Sequence, residues 1–233
     1  MEMTYPEEWL TMASTGERVG ADLRMRIIAR DIEKDTKLSE NQVAREYGVS
    51  RSPVRDAFKV LEKEGLIRLE RMGAVVVGMS AAGIDEIYDI RLMIESFVFE
   101  RVLQRDNEGL VRELRQISEM MRIAVKYEDA DAFSLKDVAF HEAIVKSIDH
   151  QYILMLWTNL RPVMECLILL SMRKRMRDDV ADFDRVLKNH DLLVEAIEKK
   201  DRKIAEQAFY QNFNDVLNDH SGFWTVGKGE EKR

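Results

Sequence analysis

YGVSRSPVRDAF, Tyr47–Phe58, is an unusual stretch for a net-acidic chain: Arg51, Ser52 and Arg55 crowd the front of a short helix, with Pro53 among them. Proline in a first turn removes no intrahelical bond, because the first N–H groups of a helix have no acceptor within it. Pro53 therefore marks a helix start, with Ser50 or Ser52 as its N-cap. Val54, Ala57, Phe58 and Leu61 recur at helical spacing and form the inward stripe. Arg51, Ser52, Arg55 and Lys59 are left facing outward near the amino end, where backbone N–H groups and the helix dipole attract anions.

Upstream, KLSENQVAREYGVS predicts a second helix of about two turns. Ser39 is its expected N-cap, and Gln42 three residues on would complete a capping box. Val43, Ala44 and Tyr47 give it a buried side, and Gly48 supplies the left-handed residue that ends it. So short a helix must be held by packing. A first helix is expected over Glu17–Ile32, where Val19, Leu23, Ile27, Ile28 and Ile32 are periodic. Downstream, Gly65 closes the third helix, LIRLE alternates like a strand, RMG turns, and AVVVG is a second β-branched run. Three helices and a two-stranded wing make a winged helix-turn-helix, whose second motif helix enters the DNA major groove amino end first. Arginine is the common reader of guanine O6 and N7, and serine donates to phosphates or bases.

The chain has 233 residues, 45% hydrophobic and 34% charged, and two domains are expected: 1–78 for DNA binding and 79–233 behind it. The net charge of −7 argues against indiscriminate coating of nucleic acid. It is unevenly spread, since residues 41–71 carry seven basic groups against five acidic ones. Cys166 is the only cysteine, which excludes an intramolecular disulfide and suits a reducing cytoplasm. The acidic start lacks the order of a secretion signal, and no apolar run of about 18 residues is seen, so no membrane association is expected.

LSENQVAREYGVSRSPVRDAFKVLEKEGLI resembles the DNA-binding domain of the GntR family of bacterial transcription regulators, most specifically in SRSPVRDA and the wing RLERMGAVV. The resemblance implies contact with double-stranded operator DNA by Ser50, Arg51, Ser52 and Arg55. It implies approach of the wing glycine, Gly73, to the minor groove. Asn41 falls where relatives often carry a DNA-contacting polar or basic residue.

Beyond the connector MSAAGI the periodicity stays helical, and about six helices are expected in an all-α bundle, over 82–105, 108–127, 130–148, 150–176, 180–199 and 201–219. Pro162 should kink or break the fourth. Met120, Met121, Met155, Met164 and Met172 lie on helical stripes and read as core. Three of the helices place polar groups within their apolar stripes: Asp137 and His141 one turn apart, His190, and Asn212. Buried polar groups without partners are costly, so these are expected to face one another around a polar pocket. Facing helices of a bundle are where ligand and metal sites are built.

DVAFH, NHDLLVEAI and AEQAFYQNF resemble the FCD effector domain of the FadR subgroup of GntR regulators. Many members hold Zn²⁺ or a similar ion with an aspartate and three histidines. The resemblance places Asp137, His141 and His190 at three of those ligand positions, and Asn212 where the last histidine usually stands. The pocket then either holds the divalent ion with fewer ligands or takes its effector directly. Arg91 matches an arginine that contacts effector carboxylates in some relatives; the other reading is an i,i+4 pair with Glu95. Around ASTGERV, KYEDADAFS and ILLSMR the resemblance narrows, and it implies gluconate or a similar sugar acid as effector. The expected molecule is a homodimeric, ligand-responsive repressor. The alternative is a metal-dependent enzyme acting on a sugar acid at Asp137, His141 and His190, although no nucleophile arrangement or Gly-rich phosphate loop accompanies them.

Overall fold

The structure, a computed structural model, describes residues 4–219, with side chains through residue 209 and at 211. The chain divides into two compact units, 1–80 and 81–233.

In the first unit helix α1 is Thr15–Ile28, strand β1 Lys37–Ser39, α2 Glu40–Glu46, α3 Arg51–Lys63, β2 Ile67–Glu70 and β3 Gly73–Val76. Helix α1 starts on a reciprocal capping box between Ser14 and Glu17, and it packs along α3. Val54, Ala57, Phe58 and Leu61 of α3 are all buried, as their spacing predicts. Full burial of side chains of this size contributes about 1.5–3 kcal/mol each for the larger ones. That packing holds the seven-residue α2 in place.

Helix α2 ends as expected. Gly48 takes φ +64°, and its N–H reaches the Arg45 carbonyl while Val49 N–H reaches that of Ala44 at 2.9 Å. This is the doubly bonded glycine stop that reverses the chain in a few residues. Ser39 is the N-cap of α2, but its side chain makes no capping bond, so the expected box with Gln42 does not form. Ser50 caps α3 by position, also without a side-chain bond, and Pro53 lies in the first turn.

The wing is larger than the two expected strands. β1 pairs with β3, so the sheet has three antiparallel strands in the order β1-β3-β2. Gly73 opens β3 opposite Ser39 with φ +151°, and a Cβ there would lie 2.1 Å from the Leu38 carbonyl oxygen. Only glycine admits this backbone approach.

The second unit has the six expected helices: α4 Ala81–Val102, α5 Glu108–Lys126, α6 Ala130–Ser147, α7 Gln151–Asp178, α8 Phe183–Lys199 and α9 Arg202–Asp219. α6 is packed against α4, α5 and α7, while α8 packs on α5 and α9. Phe133 of α6 meets Phe183 of α8 edge-on at 4.7 Å within the core. Helix α7 runs unbroken through Pro162, contrary to a break there. It is long and apolar enough to cross a membrane, but 56% of its apolar window is buried inside the bundle, which marks it as a core helix. His150 caps it, its Nδ1 accepting from Ile153 N–H at 3.3 Å. Met121, Met164 and Met172 are core residues, whereas Met120 and Met155 face outward.

Candidate functional site

In the first unit, Asn41, Ser50, Arg51, Ser52 and Arg55 are all exposed, and they come from the adjacent ends of α2 and α3. Asn41, Arg45, Ser50 and Arg51 line an open groove of about 630 Å³ at the turn between the helices. The amino end of α3 adds backbone N–H groups that no side chain caps, so the surface suits an anion. Gly73 is not among the exposed residues of this groove. It is buried under β1, and the exposed tip of the wing is Arg71 and Met72, the latter 79% exposed. The Gly73 backbone lies close against that of Leu38 in β1.

One residue in this region escaped the sequence reading. Glu40, at the first position of α2, accepts through a single oxygen, Oε2, from Arg51 Nη2 at 2.7 Å, Arg51 Nε at 3.0 Å and Arg55 Nε at 2.8 Å. The bonds from Arg55 and Arg51 hold the Glu40 carboxyl below its ordinary pKa, and the same contact raises that of Arg55.

In the second unit three of the four polar intrusions converge. Asp137 and His141 from α6 and His190 from α8 are buried, and one ligating atom of each lies within 4.8 Å of the others. Phe140 packs edge-on against the His190 ring at 4.9 Å, fixing its plane. The His190 Nδ1 lies 2.8 Å from the Val186 carbonyl oxygen and is the protonated nitrogen there. Its Nε2 faces Asp137 Oδ1 at 3.0 Å, at an angle that makes no hydrogen bond.

Arg91 and Glu95 of α4 complete the cluster. Arg91 makes the i,i+4 pair with Glu95, its Nε 2.6 Å from Oε1, and the pair is buried and not a surface one. Glu95 Oε2 takes the second contact, from His141 Nδ1 at 2.6 Å. Burial works to raise the Glu95 pKa, and His141 and Arg91 overcome it, holding the carboxyl down to about 2. Asp137 is likewise raised by burial and lowered further by His190, His141 and Arg91, to well below the usual carboxylate range. Burial pushes His141 below its ordinary value against the pull of Glu95, which favours the neutral imidazole. Glu95 was missed as a site residue because its second partner lies 46 residues away on another helix. The side chain of Asn212 lies outside the described residues, so its expected place beside this cluster is not part of the geometry.

These residues fit a divalent cation. Arg91 stands as one buried cation beside the two buried carboxylates of Glu95 and Asp137. His141 is backed by a carboxylate, the arrangement that orients imidazole ligands toward metals. The unpartnered Nε2 of His190 and the Asp137 oxygen are nitrogen and oxygen donors suited to a transition ion.

Residues 15–77 match the family model described as bacterial regulatory proteins, gntR family, and residues 86–215 match the FCD domain. The chain is 54% identical to a gluconate operon transcriptional repressor of Bacillus subtilis, over 99% of this chain and 96% of the relative. It is 53% identical, over the same shares, to the repressor of that description from Bacillus licheniformis. The solved structure of E. coli McbR/YncC has the same fold, with a TM-score of 0.66 at 20% identity, over 89% of this chain and 99% of that one. The chain belongs to the gntR family of bacterial regulatory proteins: it is a DNA-binding transcription regulator whose second unit is an FCD domain.

Proposed function

We propose that the protein represses a gluconate utilisation operon and leaves its operator when gluconate, or a similar sugar acid, enters the second unit. The observation that carries this reading is the buried cluster of Arg91, Glu95, Asp137, His141 and His190 inside the FCD domain. A soluble regulator gains nothing in stability from burying five ionisable groups, since breaking even against apolar side chains is the usual outcome. A ligand-binding role explains them. Asp137, His141 and His190 would hold a divalent ion such as Zn²⁺, which supplies positive charge for a carboxylate and a hydroxyl. Arg91 is the chain's own cationic group for that carboxylate. Phe140 holds the His190 ring, and Glu95 orients both Arg91 and His141. As an enzyme the cluster is poorly equipped: Glu95, the carboxylate beside His141, is already shared with Arg91 and is not poised as a base.

On the DNA side, Arg51 and Arg55 read base edges, with Ser50, Ser52 and Asn41 on the phosphates. A homodimer would set two such helices against half-sites about 34 Å apart. Helices α4 and α7, which pack together, leave Met93, Tyr152, Met155 and Leu156 exposed. That apolar surface suits the contact between two copies. Effector binding acts only through its differential affinity for the DNA-competent and released states, a coupling typically worth about 1–3 kcal/mol.

The test is a titration of gluconate and other sugar acids into the purified chain bound to the duplex upstream of a gluconate operon, with and without chelator. Release by gluconate at concentrations that leave random-duplex binding unchanged supports the reading. Turnover of gluconate, or indifference to every sugar acid with metal replete, rejects it.

A further inference from the structure

Glu40 is an acidic side chain in the middle of a surface that must meet a polyanion. Its side chain is 17% exposed, whereas the Arg51 and Arg55 side chains that hold it are each 52% exposed. It therefore sits beneath the two arginines and not between them and solvent. Both arginines bind it through Nε, the inner nitrogen of the guanidinium, and Arg51 adds one of its two outer nitrogens, Nη2. In Arg55 the outer pair of nitrogens has no part in that contact. Those outer nitrogens form the fork that matches guanine O6 and N7. An arginine fixed at Nε loses less freedom when its fork engages, which favours the base it is aimed at. The same negative charge repels every phosphate alike, and so weakens binding to any duplex without regard to sequence.

Resting on the assignment of Arg51 and Arg55 as readers, we propose that Glu40 is a positioning residue for sequence discrimination: it aims the two arginines and at the same time lowers general affinity for DNA. Its contribution is to the ratio of specific to random binding. Removing it leaves the guanidinium groups charged but unaimed. They then act as diffuse phosphate contacts.

The experiment uses the full chain and two duplexes, one selected by the wild-type protein from a random-sequence pool and one of scrambled sequence, at one fixed salt concentration. Glu40→Gln and Glu40→Ala are compared with wild type, and again in an Arg51→Ala, Arg55→Ala background. The expected result is a fall of about tenfold or more in the ratio of affinities, with scrambled-duplex binding equal or tighter. In the arginine-less background the Glu40 substitutions change the ratio no further. A ratio within twofold of wild type overturns the proposal. So does a parallel loss on both duplexes, which marks Glu40 as merely structural; Glu40→Gln, which keeps the size and an acceptor oxygen, guards against unfolding of the alanine variant. A ratio that still falls in the arginine-less background also overturns it, because Glu40 would then read a base itself. If the wild-type chain selects no duplex at all, it is the reader assignment that has failed.

Discussion

Replacing Glu95 with alanine removes the counter-charge of buried Arg91 and the hydrogen-bond acceptor of buried His141 at once. Glu95 is 2% exposed, and its oxygens lie 2.6 Å from Arg91 Nε and 2.6 Å from His141 Nδ1. Removing one partner of a buried pair leaves the other uncompensated, which costs about 3–5 kcal/mol. Asp137 also acts on the Arg91 charge, which puts the expected loss near the lower end, at about 3 kcal/mol. A second route gives the same size: a carboxyl held at about 2 against an ordinary 4.5 corresponds to about 3 kcal/mol. The folded-state pKa is the lower of the two, so this stabilisation is complete above pH 4.5 and disappears as pH falls toward 2. The assay is urea unfolding of the full chain followed by Trp157, which is 1% exposed in the second unit, with Trp9 and Trp224 replaced by phenylalanine. A chain of two units need not unfold in one step, so a probe in the right unit is required. The midpoint should fall with little change in slope, equivalent to about 6–12 °C in Tm. Wild type and variant should converge in acid. A loss below about 1 kcal/mol at neutral pH, where a buried pair predicts several, would refute the reasoning. A difference that fails to shrink in acid would refute it too.

Arg51→Ala and Arg55→Ala should each weaken binding to the selected duplex by about 1–3 kcal/mol, and flatten the preference at one base position, measured by anisotropy at fixed salt. Gly73→Ala should destabilise the first unit by more than about 1 kcal/mol, because φ +151° and the Leu38 carbonyl both exclude a Cβ; unchanged thermal unfolding would show that β1 and β3 can separate freely.

The reading helix was legible because its signals are local. Pro53, Gly48 and the spacing of Val54, Ala57, Phe58 and Leu61 all act within a few residues, and each appears where expected. The polar cluster was legible for a different reason: Asp137, His141 and His190 stand on apolar faces, and such faces must meet. What escaped depends on contacts between distant segments. Glu40 meets Arg51 and Arg55 across the turn, 11 and 15 residues away, where charge counting sees only opposite signs. Strand β1 is three residues long, too short for an alternation to register, and exists only because β3 pairs with it. Gly73 looked like a wing tip because turn glycines usually are, and its actual constraint is the backbone of β1. Met120 and Met155 sit on helical stripes that face outward.

The proposed function divides labour within the chain: α3 would bind the duplex, and the buried cluster would govern release. The measurement that tests it most directly is the affinity of wild type and His190→Ala for the selected duplex, each with and without gluconate. Equal affinity in the absence of gluconate, with release confined to the wild type, is the predicted result. A variant released at the same gluconate concentration as the wild type would contradict it.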